Sequence, residues 1–130
     1  MALKLTLKPN ERMIIGGAVV ANGGKTACNL IVENKTPILR QKDIMNEENA
    51  NSPCRRIYFA VQLMYIDREN ESIHQNAYWK LVRQLLDAVP GLTGTIDQIN
   101  EHILNGEYYL ALKLASELID YEQEVISSVI

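Results

Sequence analysis

The residues able to do chemistry on their own are few and widely spaced in this sequence. His74 and His102 lie in different segments, and neither has the glutamate companion of a metal-binding helix motif. Cys28 and Cys54 are 26 residues apart, which does not fit the paired-cysteine spacing of a zinc site. There is also no phosphate-binding loop, dinucleotide glycine motif or nucleophile elbow. We therefore predict that the protein is not an enzyme and holds no metal or cofactor.

Basic side chains are the remaining candidates, and they concentrate in the first third of the chain. Residues 1–44 carry seven Lys and Arg against three Asp and Glu, a net charge of +4. The other 86 residues carry six basic and thirteen acidic side chains, a net charge of −7. This asymmetry predicts two units with different partners, a basic unit at 1–44 that attracts a polyanion and an acidic unit at 45–130 that contacts proteins. The alternative is a chance split of charge in a small protein.

The spacing of the basic residues predicts one exposed strip. In a strand, residues two apart point to the same side, so Lys4 and Lys8 share a side with the hydroxyl of Thr6. The same rule places Arg40 and Lys42 together on the last strand. If the two strands are neighbours, the predicted RNA-binding set is Lys4, Thr6, Lys8, Arg40 and Lys42, all expected to be exposed.

Arg55 and Arg56 are further candidates for anion contacts. They lie at the start of the first predicted helix, where the free N–H groups of the first turn favour a phosphate or a carboxylate. The alternative is that both arginines are solvated or pair with Glu47 and Glu48.

Strands are predicted throughout residues 1–44. Leu3, Leu5 and Leu7 alternate with polar residues, a period of two that is typical of a half-buried strand. Further short strands are predicted at Arg12–Ile15, Ala18–Val20, Cys28–Val32 and Ile38–Arg40. The segment Asn22-Gly23-Gly24 is expected to supply the positive φ angles of a tight hairpin in an antiparallel meander.

Helices are predicted for the rest of the chain. The first begins at Pro53 with Ser52 as its N-cap, and the second covers about Ser72–Val89. The third is capped by Thr95 and ends before Gly106, and the fourth begins near Glu107. In the fourth helix we expect the inward residues to be Leu110, Ala111, Leu114, Leu118 and Val125. The prediction is an α+β fold, a five-stranded antiparallel β-unit followed by a bundle of about four helices.

Composition and size bound the remaining possibilities. The chain has 130 residues, of which 47% are hydrophobic and 22% charged, and no apolar run is long enough to span a bilayer. A cytoplasmic protein that binds neither membranes nor DNA is the expectation. A β-unit of 44 residues is close to the lower limit for a core of its own, so it needs a covering helix or a partner copy. We therefore also predict a homodimer through the β-unit, whose first and last strands are expected to be edges.

Several long segments resemble the flagellin post-transcriptional regulator family FlbT. They are LTLKPNER (residues 5–12), IGGAV (15–19), VENKTPILR (32–40), RIYFAVQLMY (56–65), AVP (88–90) and YYLALK (108–113). The resemblance implies a bacterial cytoplasmic protein that binds the 5′ untranslated region of flagellin mRNA and lowers its translation and stability. It also implies the flagellar regulator FlaF as a partner. The competing hypothesis is a protein-binding adaptor in flagellar assembly that acts through such a partner and affects RNA indirectly.

Residues 1–44 alone are also similar to the carbon storage regulators, small β-proteins that dimerise and bind RNA. Lys8 stands where that family has the second of two arginines, and Leu7 replaces the first. Arg40 is approximately equivalent to an arginine of that family's last strand, and the turn before it is changed to Asn34-Lys35-Thr36-Pro37. The resemblance implies RNA contacts from the first and last strands.

Overall fold

The computed structural model describes residues 2–129, with the side chains of residues 2–125. Five strands come first and four α-helices follow, which confirms the α+β class. The chain forms two compact units, Met1–Ile44 and Met45–Ile130, called here the β-unit and the helical unit. Within the described range, none of the helices is long and apolar enough to cross a membrane.

The strands of the β-unit form two antiparallel sheets. The strands are β1 (Leu3–Leu7), β2 (Arg12–Ile15), β3 (Ala18–Ala21), β4 (Cys28–Val32) and β5 (Ile38–Arg40). One sheet pairs β1 with β4, and the other has the order β3-β2-β5. The expected meander is wrong, because the chain changes sheet between β1 and β2, between β3 and β4, and again between β4 and β5.

The tight hairpin of the unit lies at Gly16-Gly17, between β2 and β3. Both glycines have positive φ, 58° and 88°, which L side chains rarely adopt. The prediction of such a turn at Asn22-Gly23-Gly24 is wrong, since neither of those glycines has positive φ. That segment instead begins the loop that carries the chain from β3 in one sheet to β4 in the other.

The side chain of Asn22 organises this loop. It is only 9% exposed, and its Nδ2 donates to the carbonyl oxygens of Leu7 and Thr26, each at 2.9 Å. Its Oδ1 accepts a hydrogen bond from the backbone N–H of Gly24 at 2.8 Å. The amide therefore satisfies three backbone groups that the change of sheet leaves without ladder partners.

The core of the β-unit is small and lies between the two sheets. Leu5, Leu7 and Met13 are buried. Six partly buried side chains pack against them, namely Ile15, Val20, Cys28, Leu30, Val32 and Ile38. The surrounding apolar residues are only partly buried, so few side chains of this core are fully enclosed.

The helices are α1 (Pro53–Ile66), α2 (Glu71–Ala88), α3 (Thr93–Leu104) and α4 (Tyr108–Val129). The predicted start of α1 is confirmed, because Ser52 Oγ accepts a hydrogen bond from the N–H of Arg55. The predicted cap at Thr95 is wrong, since α3 already begins at Thr93, after a 3-10 turn at Pro90–Leu92. Gly106 has φ 74° and ends α3 as predicted. The backbone N–H of Gly106 donates to the carbonyl oxygen of Ile103, and that of Glu107 donates to the carbonyl oxygen of His102.

The buried face of α4 is rotated from the predicted one. Ala111 and Leu118 are buried as expected, but Leu110 is 47% exposed. Tyr108, Leu112 and Ala115 are buried with them. Since α4 packs against both α1 and α3, its contact face is wider than a single stripe, and the two alanines allow close approach of the helices.

A carboxylate from α4 occupies the start of α1. Ser52 Oγ donates to Glu122 Oε1, and the backbone N–H of Cys54 donates to Glu122 Oε2 at 3.2 Å. A negative charge is stabilising at a helix N-terminus, because the unpaired N–H groups there carry partial positive charge. Burial raises the pKa of the Cys54 thiol to about 12, and the charge of Glu122 adds to the effect.

We expect Gly16→Ala to lower the free energy of unfolding by about 2 kcal/mol. The φ of 58° is unfavourable for alanine, and its Cβ would lie 2.8 Å from Thr36 Oγ1. The matched control is Gly23→Ala, because a Cβ at Gly23 meets nothing within 4 Å. This control is expected to change stability by less than about 0.5 kcal/mol in urea unfolding of the full chain. Equal losses in the two variants would contradict the assignment of the hairpin.

We expect Cys54 to resist alkylation by iodoacetamide at pH 8 in the folded protein, because only the thiolate reacts and the raised pKa suppresses it. Glu122→Gln is expected to speed the labelling, since it removes the neighbouring negative charge. Mass spectrometry of peptides measures the modification, with the urea-unfolded chain as reference. Labelling of Cys54 in the folded protein at the unfolded rate would contradict its placement at the Glu122 cap.

Candidate nucleic-acid interface

The first three predicted RNA contacts lie on the outer face of β1, for Lys4 and Thr6, and directly after its last residue, for Lys8. Lys4, Thr6 and Lys8 are exposed, whereas Leu5 and Leu7 between them are buried. This alternation follows from the pleat of the strand, which sends successive side chains to opposite faces. The strand therefore places the Lys4 ammonium group and the Thr6 hydroxyl in one exposed row, and Lys8 is exposed directly after the strand ends.

The partner strand adds two residues that the sequence did not indicate. Across the β1–β4 pair, Lys4 is opposite Ile31 and Thr6 is opposite Asn29. Asn29 is exposed and accepts a hydrogen bond from Thr6 Oγ1 at 3.2 Å, and Ile31 is 61% exposed. Only the register between β1 and β4 shows that these side chains share the face of the lysines, and no local pattern encodes that register.

Arg40 reaches β1 although its strand belongs to the other sheet. Its Nη2 donates to the carbonyl oxygen of Thr6 at 3.0 Å. The side chain is half-buried, so the expectation that it is fully exposed is wrong, because the guanidinium ties β5 to β1. A guanidinium has five N–H donors, so Arg40 keeps donors for a further anion beside Thr6.

Lys42 does not lie on the last strand. β5 ends at Arg40, and Lys42 is exposed in a 3-10 turn at Gln41–Asp43. The prediction that Arg40 and Lys42 share a side of one strand is therefore wrong, because the chain turns before the alternation reaches Lys42. The four residues that the structure brings together are Lys4, Thr6, Lys8 and Arg40.

The charge of this face is not neutralised within the β-unit. Neither Lys4 nor Lys8 forms an ion pair with any residue that the structure describes. The nearest acid in the chain, Glu11, accepts a hydrogen bond from the backbone N–H of Lys8 at 2.8 Å. We call the exposed residues Lys4, Thr6, Lys8, Asn29 and Ile31, together with the half-buried Arg40, the β1 face.

Arg55 and Arg56 belong to the helical unit. The prediction that the start of α1 has free N–H groups for a phosphate is wrong, because Glu122 already occupies that position. The guanidinium of Arg55 donates to Asn51 Oδ1 at 3.3 Å. Arg56 is exposed one residue further along the helix.

The two histidines each contact a carboxylate. His74 Nε2 lies 2.9 Å from Asp67, and His102 Nδ1 lies 3.1 Å from Glu107. The hydrogen bond from His74 is the main cause that lowers the pKa of Asp67. Among the side chains that the structure describes, no group of three or more His, Cys, Asp and Glu is placed to hold a metal ion.

Comparison with known proteins identifies the family. The family model described as flagellar protein FlbT matches residues 3–126. A probable flagellum biosynthesis repressor protein FlbT 1 of Bradyrhizobium diazoefficiens is 46% identical over 125 residues, which cover 96% of this chain and 85% of that protein. A probable flagellum biosynthesis repressor protein FlbT of Rhodopseudomonas palustris is 39% identical over 127 residues, or 98% of this chain and 99% of that protein.

More distant relatives cover the same length. The flagellum biosynthesis repressor protein FlbT of Caulobacter vibrioides is 37% identical over 131 aligned positions, which cover 99% of this chain and 92% of that protein. No solved structure matches this chain. The residues matched by the family model include all five strands, the first three helices and α4 as far as residue 126, and they confirm the family that the sequence motifs indicate. The chain belongs to the FlbT family of flagellar proteins.

Proposed function

We propose that this protein is a post-transcriptional regulator of flagellin synthesis that binds the 5′ untranslated region of flagellin mRNA and lowers its translation and stability. The observation that carries the proposal is the β1 face, where the unpaired Lys4 shares one side of the strand pair with a hydroxyl and an amide, and the unpaired Lys8 is exposed at the strand's end. The repressor names of the relatives support a role in restraining flagellum biosynthesis. Action on mRNA places the protein in the cytoplasm.

The β1 face supplies the two kinds of contact that RNA recognition needs. Lys4 and Lys8 would neutralise phosphates, which provides affinity without sequence preference. The amide of Asn29 and the hydroxyl of Thr6 would bond to the edges of unstacked bases. Residues 1–44 contain no Phe, Tyr or Trp, so base stacking on aromatic rings is not available in this unit. Arg40 would add a phosphate contact while it holds β5 to β1, and Lys42 would act from its nearby turn.

The second candidate function is a protein adaptor that acts on RNA indirectly. The net charge of −7 on residues 45–130 favours the adaptor function. A negatively charged surface repels RNA, so a protein is the better partner for it. A flagellar partner such as FlaF would then bind the helical unit. The two functions are compatible in one chain, and the difference lies in whether RNA binding needs the partner.

We expect the double variant Lys4→Ala, Lys8→Ala to lose about tenfold or more in affinity for the flagellin leader RNA at physiological salt. The physical reason is the loss of two charge-assisted phosphate contacts from an exposed face. Fluorescence anisotropy with a labelled leader RNA measures the affinity.

The matched control is Lys25→Ala, Lys35→Ala. These two lysines are also exposed in the β-unit but lie in its loops and outside the β1 face, so the control removes the same charge from other positions. It is expected to change the affinity by less than about threefold. Full affinity in the Lys4, Lys8 double variant would move the RNA role to Arg55 and Arg56 or to a partner protein. Arg40→Ala is a weaker test, because it also breaks the bond to Thr6.

We also propose that the β-unit pairs with a second copy. A groove of about 500 Å³ is lined in part by Val20, Leu30 and Val32, which also pack against the core of the unit. β3 and β4 each lie at the end of a sheet and can accept another strand. Sedimentation velocity at about tens of micromolar is expected to give the mass of a dimer. A monomer under those conditions would contradict the pairing.

A further inference from the structure

The helical unit has a groove between α1 and α2 that the proposed RNA contacts do not use. α1 lines one side with Arg56, Phe59 and Leu63, and α2 lines the other with His74, Ala77 and Leu81. Both sets follow helical spacing, so each forms one stripe along its helix. The volume is about 280 Å³, and the small side chain of Ala60 also lines it.

The end of the groove is held in place by a buried amide. Glu47 and Ala50 close it, and they belong to the segment that precedes α1. Gln62 of α1 is 2% exposed, and its side chain pairs with both backbone groups of Met45 at 2.8 Å. Because a buried amide must keep its hydrogen bonds, this pair fixes the start of the segment on α1.

The lining is suited to an apolar side chain. Phe59, Leu63 and Leu81 are half-buried, so part of their apolar surface still faces solvent. Ala60 and Ala77 leave space between them. The volume is slightly below the range usual for small-molecule pockets and is right for one or two large side chains of a bound segment.

The charge at the groove is supplied mainly by Arg56. Its guanidinium forms no ion pair or hydrogen bond with any residue in the described part of the chain, and it is exposed. His74 is already bonded to Asp67, and Glu47 is the one carboxylate that the described lining contains. An unpaired guanidinium beside an apolar groove fits a carboxylate, which it can bind in a bidentate way.

We propose that this groove binds a segment of a protein partner that inserts a large apolar side chain between α1 and α2 and places a carboxylate on Arg56. A protein segment is favoured over RNA because one arginine suffices for one carboxylate, whereas the net charge of −7 on the unit opposes a chain of phosphates. The partner surface thus shares no residue with the β1 face.

The test is selection of random peptides displayed on phage against the full-length protein, followed by affinity measurement of the enriched peptide. We expect a shared pattern of a large apolar residue close to Asp or Glu. Backbone amide NMR shifts are expected to change at Phe59, Ala60, Leu63, Ala77 and Leu81. No enrichment, or shifts elsewhere in the chain, would overturn the proposal.

Matched variants separate the two parts of the site. Arg56→Gln is expected to weaken the peptide by about threefold or more, whereas Arg55→Gln, one residue away and bonded to Asn51, leaves affinity unchanged. Ala77→Phe fills the groove from an exposed position and is expected to lower the affinity for the peptide by more than about tenfold. Asn76→Phe, at the exposed neighbouring position, is expected to leave that affinity unchanged.

Two outcomes would replace the proposed occupant. If the peptide binds the Arg56→Gln variant as tightly as the unchanged protein, the proposed contact between its carboxylate and Arg56 is wrong. Shifts in the groove on addition of adenosine monophosphate, with none from the peptide, would show a nucleotide site instead. Because the β1 face is intact in all these variants, leader-RNA affinity measured alongside separates this result from that of the proposed function.

Discussion

The β-unit depends on how its two sheets are joined at the end of β1. Asn22 donates to the carbonyl of Leu7, and Arg40 donates to the carbonyl of Thr6, so two side chains from the three-stranded sheet and its loop meet adjacent residues of β1. Leu5 and Leu7 then pack with Met13 beneath. A unit of this size has little apolar area to bury, and directional hydrogen bonds to free strand carbonyls therefore carry much of its specificity.

The contacts between the two sheets also determine which side chains of β1 are exposed. Because Leu5 and Leu7 of β1 point to the core, Lys4 and Thr6 must point outward, and Arg40 is held beside Thr6. Arg40 thus combines a structural bond with a candidate phosphate contact. The helical unit differs in both charge and shape, with its unpaired Arg56 at an apolar groove and its helix start already occupied by Glu122. We therefore propose different partners for the two units.

Local features of the fold were predictable from the sequence, and long-range ones were not. The alternation of β1, the Ser52-Pro53 start of α1 and the glycine stop at Gly106 depend on residues close in sequence. Strand pairing was mispredicted because Asn-Gly-Gly is typical both of a tight hairpin and of a side-chain-stabilised loop. The Glu122 cap joins residues about 70 positions apart, and no periodicity indicates it.

In the candidate site, too, local sequence patterns predicted some residues, and long-range pairing decided the others. Strand period alone places Lys4, Thr6 and Lys8 on one face, but Asn29 and Ile31 join them only through the register with β4. Lys42 was misplaced because a strand end is the least certain feature of a three-residue strand.

The salt dependence of leader-RNA binding by the protein alone tests the central claim most directly. If the cations of the β1 face bind phosphates, the logarithm of affinity should fall linearly with the logarithm of salt concentration. Three or four single-strand contacts give a slope of about −2 to −3. A slope near zero, or no binding until a partner protein is added, would contradict direct recognition by this face.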